Sequence, residues 1–240
     1  MTIKIKTNIR SFWVGFFLIL AVSFLFAEPS GAAIRARDIM VKVAKRYSSI
    51  GTLSARFRQE AFYRGLNQRR VSEGRVFLKV RGVEGGEEVP AMMRWEYEFP
   101  TKDVIVSDGI TLWMYQPDIM QVVETDASRG PMPVIMRLLT GFSGAEGAIG
   151  GGMEDDFLMD IIRDGKDSWG VSMAPTYDEG NFHGLVVEIN KKTYLVEGVK
   201  VVDHYGVETR VSLMNIKINP EIADNVFRFD LPKGVTVVRP

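Results

Sequence analysis

The sequence predicts an α+β fold in which one long antiparallel sheet carries a few helices on its concave face. Three observations carry that prediction. Apolar and polar residues alternate with period two in about eleven short runs after Gly51. Turn formers separate the runs, and helical spacing is confined to one segment near the N-terminus and one short stretch in mid-chain. A sheet with so many strands must curl or close.

The first 33 residues are different material from the rest. Lys4, Lys6 and Arg10 precede an uncharged run from Ser11 to Ala27, and small residues follow at Ser30, Gly31, Ala32 and Ala33. This is the order of a secretory signal, and its roughly 15 strongly apolar residues fall short of the ~20 that span a membrane. Cleavage after Ala32 or Ala33, rather than retention as an anchor, is expected, leaving residues 34–240 as one domain. There is no Cys, which excludes disulfides, thiolate chemistry, a zinc ribbon and a lipidated N-terminus. Thirty basic and thirty acidic side chains cancel, which argues against nucleic acid as a partner.

From Arg35 to Ile50, Ile39, Val43, Tyr47 and Ile50 recur at helical spacing with Lys42, Lys45 and Arg46 elsewhere on the wheel. Asp38 suits the positive end of this helix and Gly51 closes it. Strands are then expected at Leu53–Phe62, Val71–Val80, Met92–Glu98, Lys102–Ser107, Ile110–Tyr115 and Ile119–Glu124. The separators are a Gly- and Glu-rich turn at Arg81–Pro90, the hairpin signal Ser107-Asp108-Gly109, and Gln116-Pro117-Asp118. In mid-chain, Pro131–Thr140 reads as a short helix with Val134, Ile135, Leu138 and Leu139 on its apolar side. The Gly-rich stretch 141–152 after it is a tether. Asp155–Arg163 fits a helix or a strand leading into Asp164-Gly165, the strand being preferred. Strands follow at Ser168–Ala174, Phe182–Lys191, Tyr194–Asp203 and Val207–Ile218, with a last one from Val226.

Catalytic groups are sparse. His183 and His204 lie on separate strands without metal-ligand spacing, and adjacent acids such as Asp155-Asp156 point to opposite faces of a strand. Gly150-Gly151-Gly152 lacks the Lys and the strand–turn–helix setting of a phosphate loop. No enzyme site, metal site or cofactor is expected. Bulky apolar side chains are abundant instead: 12 Met, 14 Phe, 7 Tyr and 4 Trp. On the third strand Met93, Trp95, Tyr97 and Phe99 share one face, with Arg94, Glu96 and Glu98 on the other. The hairpin after it puts Leu112 and Met114 on one face and Trp113 and Tyr115 on the opposite one. Two readings stay open, a solid core beneath helices and a lining that re-packs around a lipid.

Met93-Arg94-Trp95-Glu96-Tyr97-Glu98-Phe99-Pro100, then Ile105-Val106-Ser107-Asp108-Gly109-Ile110-Thr111-Leu112-Trp113-Met114-Tyr115-Gln116-Pro117, with Phe57-Arg58-Gln59 upstream, resembles the outer-membrane lipoprotein carrier (LolA) family. The stretch Leu213–Asn219, Phe227-Arg228-Phe229 and Pro232-Lys233-Gly234-Val235 extends the resemblance from about Ala36 to the C-terminus.

The resemblance implies an incomplete antiparallel barrel closed by helices. It also implies a non-enzymatic, monomeric periplasmic carrier that takes acylated lipoproteins from an inner-membrane ABC releasing complex to an outer-membrane receptor. A LolA-like binding or sensor protein for another envelope lipid or glycolipid is the alternative. Shielding is a physical necessity for such cargo: at about 0.8 kcal/mol per methylene, an anchor of roughly 45 methylenes costs on the order of 35 kcal/mol to expose to water. Carried over residue by residue, Met93, Trp95 and Tyr97 fall on the strand of large apolar groups at the cavity mouth. Leu112 and Met114 become lining, and Ile135 and Leu138 match the lid helix. The family's latching Arg precedes a Pro at a strand edge. Here Val89 precedes Pro90, so Arg81 is the latch candidate, with Arg94 next.

Overall fold

A helix, α1 (Ala36–Tyr47), leads directly into the sheet strands β1 (Thr52–Tyr63) and β2 (Gln68–Lys79). A small pair, β3 (Gly82–Glu84) and β4 (Glu87–Val89), precedes the meander β5 (Met92–Phe99), β6 (Val104–Ser107), β7 (Thr111–Gln116) and β8 (Gln121–Asp126). A second meander follows: β9 (Phe157–Asp164), β10 (Ser168–Pro175), β11 (Phe182–Asn190), β12 (Val196–Asp203) and β13 (Val207–Ile218), with β14 (Thr236–Val238) last. The computed structural model describes residues 34–79, 82–84, 87–89, 91–127, 157–176, 182–203 and 205–240.

Twelve strands form one sheet in the order β14-β8-β7-β6-β5-β2-β1-β13-β12-β11-β10-β9. Every neighbouring pair is antiparallel except β14 with β8. The edge strands β14 and β9 do not pair with each other, so the sheet is open, as the incomplete-barrel expectation requires. The join between the two meanders is central. Strand β13 returns to pair with β1, setting Leu213 opposite Phe57 and Val211 opposite Gln59. Strands β8 and β9 are consecutive members of the sheet in sequence yet lie near opposite edges. The expected mid-chain helix belongs to the stretch between them and lies outside the described residues.

Three local expectations change. The turn expected at Arg81–Pro90 contains the β3–β4 hairpin, for which Gly85-Gly86 is itself a hairpin signal. The last strand does not begin at Val226. Residues Asp224–Phe227 make a 3-10 turn, and pairing resumes only at Thr236, after Pro232 has removed a donor and Gly234 has turned the chain at φ +78°. Helix α1 ends at Tyr47, and the Gly51 N–H donates to Asn219 Oδ1 (2.8 Å), tying the start of β1 to the end of β13. Asp155–Arg163, in contrast, resolves as a strand over Phe157–Asp164.

Helix α1 buries Ile39, Met40, Val43 and Tyr47. The Tyr47 hydroxyl accepts a hydrogen bond from the Val196 N–H at the start of β12 (3.2 Å). Burial pushes its pKa up to about 12. The Arg35 side-chain Nε–H (3.4 Å) and backbone N–H (3.2 Å) both donate to the Asp38 carboxylate at the helix start and hold it below its ordinary range.

Candidate functional site

Strand register alone brings the apolar residues of several strands onto one face. Leu53 and Ala55 of β1 lie opposite Leu78 and Val76 of β2, which lie opposite Met93 and Trp95 of β5. These in turn face Ser107 and Ile105 of β6, and then Leu112 and Met114 of β7. Because side chains alternate along each strand, all of them project to the same side. On the other side stand Arg56, Arg58, Arg75, Glu96 and Glu98, joined by ion pairs such as Arg75 with Glu96 (3.1 Å) and with Glu98 (2.8 Å). One side is therefore greasy, and the other carries the charged residues.

The expected residues Met93, Trp95, Tyr97, Leu112 and Met114 are brought together on the greasy face. Three further residues join them that the sequence pattern did not single out as site members: Phe57, Gln59 and Gly74. The Phe57 ring lies 4.4 Å from Trp95 and meets Tyr97 edge-on at 5.1 Å. Gly74 stands opposite Phe57 and makes room for it. A Cβ there would lie 2.9 Å from Phe57 Cε1 and 1.9 Å from the Glu96 carbonyl oxygen. Only the tripeptide Phe57-Arg58-Gln59 hinted at this cluster, because cross-strand partners distant in sequence leave no periodic signal.

Burial along β5 is graded. Met93 is 0% exposed, Trp95 5%, Tyr97 half-buried, and Phe99 58% exposed. Strand β7 repeats the trend from buried Leu112 to half-buried Met114. The face is thus sealed at one end and open toward the other. Its few polar groups sit in the transition. The Tyr97 hydroxyl donates to Gln59 Oε1 (2.9 Å). Burial, with a smaller contribution from the Asp103 charge, raises the Tyr97 pKa to about 12, so the group is a neutral donor at any physiological pH. The Trp95 indole Nε1 is buried without a hydrogen-bond partner among the described residues. Chemically, the face offers large apolar area, polarizable Met sulfur and neutral hydrogen-bonding groups.

Arg94, expected as the second latch candidate, faces away from this side. Alternation along β5 sends it to the opposite face, where it donates to the Val226 carbonyl (3.3 Å) and to Glu96 Oε1 (2.6 Å). It holds the C-terminal segment. Arg81, Ile135 and Leu138 lie outside the described residues.

Comparison with known proteins agrees with this architecture. A solved structure described as an uncharacterized conserved protein from Thermus thermophilus has the same fold, with a TM-score of 0.50 at 15% identity over 85% of this chain and 99% of that one. Outer-membrane lipoprotein carrier proteins are similar in sequence. That of Nitrosomonas europaea is 27% identical over 93% of this chain and 97% of its own length. That of Chromohalobacter salexigens is 25% identical over 82% and 85%. The family model for outer membrane lipoprotein carrier protein LolA matches residues 48–230, and the chain belongs to that family.

Proposed function

We propose that the mature chain is a periplasmic carrier that shelters the acyl chains of lipoproteins against its greasy face and moves them from the inner to the outer membrane. Residues 1–33 direct export and are removed. In this reading an inner-membrane ABC complex loads the carrier and an outer-membrane receptor unloads it. Met93, Trp95, Tyr97, Leu112 and Met114, with Phe57 beside them, line the binding face.

The observation that carries this reading is the graded burial on β5 and β7 within a chain of the LolA family. A solid core would bury Tyr97 and Met114 as fully as Met93. A face meant to load and release keeps apolar area within reach of solvent.

The test is direct. Purified mature protein mixed with inner-membrane vesicles containing a diacylated protein is expected to form a soluble complex and pass the cargo to outer-membrane vesicles. Met114→Asp should lower complex yield at least about tenfold, since a carboxylate among acyl chains costs on the order of 2–3 kcal/mol. The reading fails if folded wild-type protein forms no soluble complex with acylated protein.

A further inference from the structure

Strand direction alternates across the sheet, so the β1–β2, β5–β6, β7–β8 and β12–β13 turns all lie at one end, and β9 begins there. It is the end toward which the greasy face of β5 and β7 loses its cover. Leu66, Phe99, Ile119, Met120, Leu158 and Tyr205 are placed on these turns and strand ends, each between 42% and 94% exposed. Such side chains are usually turned inward. Here three successive hairpin tips carry them, at intervals of two strand spacings, about 10 Å.

Positive charge gathers at the β1–β2 tip, whereas the β7–β8 tip carries the exposed acid Asp118 and the β5–β6 turn sets Asp103 beside Lys102. The β1–β2 turn, residues 63–70, holds Arg64, Arg69 and Arg70 around Leu66 and contains no acid. The side chains of Arg64 and Arg69 are 68% and 65% exposed, although each touches one carboxylate, Glu208 at 3.6 Å and Glu60 at 3.0 Å. Lys102 is exposed on the neighbouring turn beside Phe99. A protein partner would need a separate pocket for each projecting tip. A bilayer interface takes them together, receiving apolar side chains below the headgroups while guanidinium groups meet phosphate.

We propose that this rim docks the protein on an anionic phospholipid surface, with the open end of the greasy face turned to the bilayer. The proposal goes beyond cargo carriage because it requires no lipoprotein.

Flotation of the full mature chain with phosphatidylglycerol–phosphatidylethanolamine vesicles tests it. Wild type should float with these vesicles, and several-fold less with phosphatidylcholine or at high salt. A Leu66→Ser, Phe99→Ser, Ile119→Ser variant should bind at least about tenfold more weakly while keeping its circular dichroism spectrum and monomeric state. Ile110 and Ile162 are similarly exposed and stand toward the other end of the sheet. An Ile110→Ser, Ile162→Ser variant should bind within about twofold of wild type. The proposal is overturned if wild type floats with no vesicle, if the Ile110/Ile162 variant loses as much binding as the rim variant, or if the rim instead pairs two copies of the chain, read as a dimer that the rim substitutions dissolve. Formation of a soluble lipoprotein complex is a separate readout, so a failure of docking is distinguishable from a failure of carriage.

Discussion

The two wings of the sheet bury their surfaces differently. In the wing of β5 to β8 the outer face is covered by the C-terminal segment. Its outer face carries Trp113 and Tyr115, which lie 6.1 and 5.9 Å from the Phe229 ring, and Phe227, in the 3-10 turn that packs against β5, is 1% exposed. The C-terminal segment is fastened there by Arg94 to Val226, Lys79 to Asp224 (2.9 Å), and Arg239 to Glu124 (2.8 and 3.1 Å). Hydrogen bonding from Arg239 holds the Glu124 carboxyl below its usual range. In the wing of β9 to β12 the outer face is charged and open, with Glu188 accepting from Arg210 (2.8 Å) and paired with Arg163 (3.0 Å). Among the described residues, one wing is a wall held from behind, and the other is packed on its inner face alone. The wall is the one whose inner face stays partly uncovered, so its stiffness comes from the rear.

The contrast can be broken hardest at Gly74. Gly74→Ala forces a methyl against the Glu96 carbonyl and should destabilise by upwards of about 4 kcal/mol, read as a shift in urea midpoint. Removing the rear support comes next. Phe227→Ala should cost about 3 kcal/mol, and hydrogen exchange should rise in β5 while β10 and β11 stay protected.

Alkaline titration probes the helix that meets β12 through Tyr47. The Tyr47 pKa is raised from 10.0 to about 12, so the native state keeps its proton where the unfolded chain has lost it. Its contribution is complete below pH 10 and falls away between about pH 10 and 12, by about 2–3 kcal/mol. Tyr47→Phe should flatten that part of the stability–pH curve at the cost of the Val196 hydrogen bond. The smallest effect belongs to the open wing: Glu188→Gln should change stability by no more than about 1 kcal/mol, because its partners are half exposed.

Much of this was legible in sequence, for a simple reason. Alternation decides which side a strand residue faces, so Met93, Trp95 and Tyr97 could be grouped, as could Leu112 and Met114, and Arg94 could be set apart from them. Pairing across the sheet is a different kind of information. Nothing in the sequence near residue 74 says that it must accommodate the Phe57 ring, and nothing near residue 113 says that Phe229 will cover it. The tie of Arg94 to the Val226 carbonyl, far along the chain, is equally invisible in sequence. The parallel pairing of β14 with β8 was missed because a three-residue strand leaves no period to detect.

Sheet order also dictates when this molecule can exist during its synthesis. Strand β1 has no neighbour on one side until β13 is made, and the rear of the first wing stays bare until Phe227, Phe229 and β14 emerge. A ribosome must therefore finish nearly the whole polypeptide before any wing is complete. Until then the nascent chain holds an unpaired strand edge and bare apolar surface.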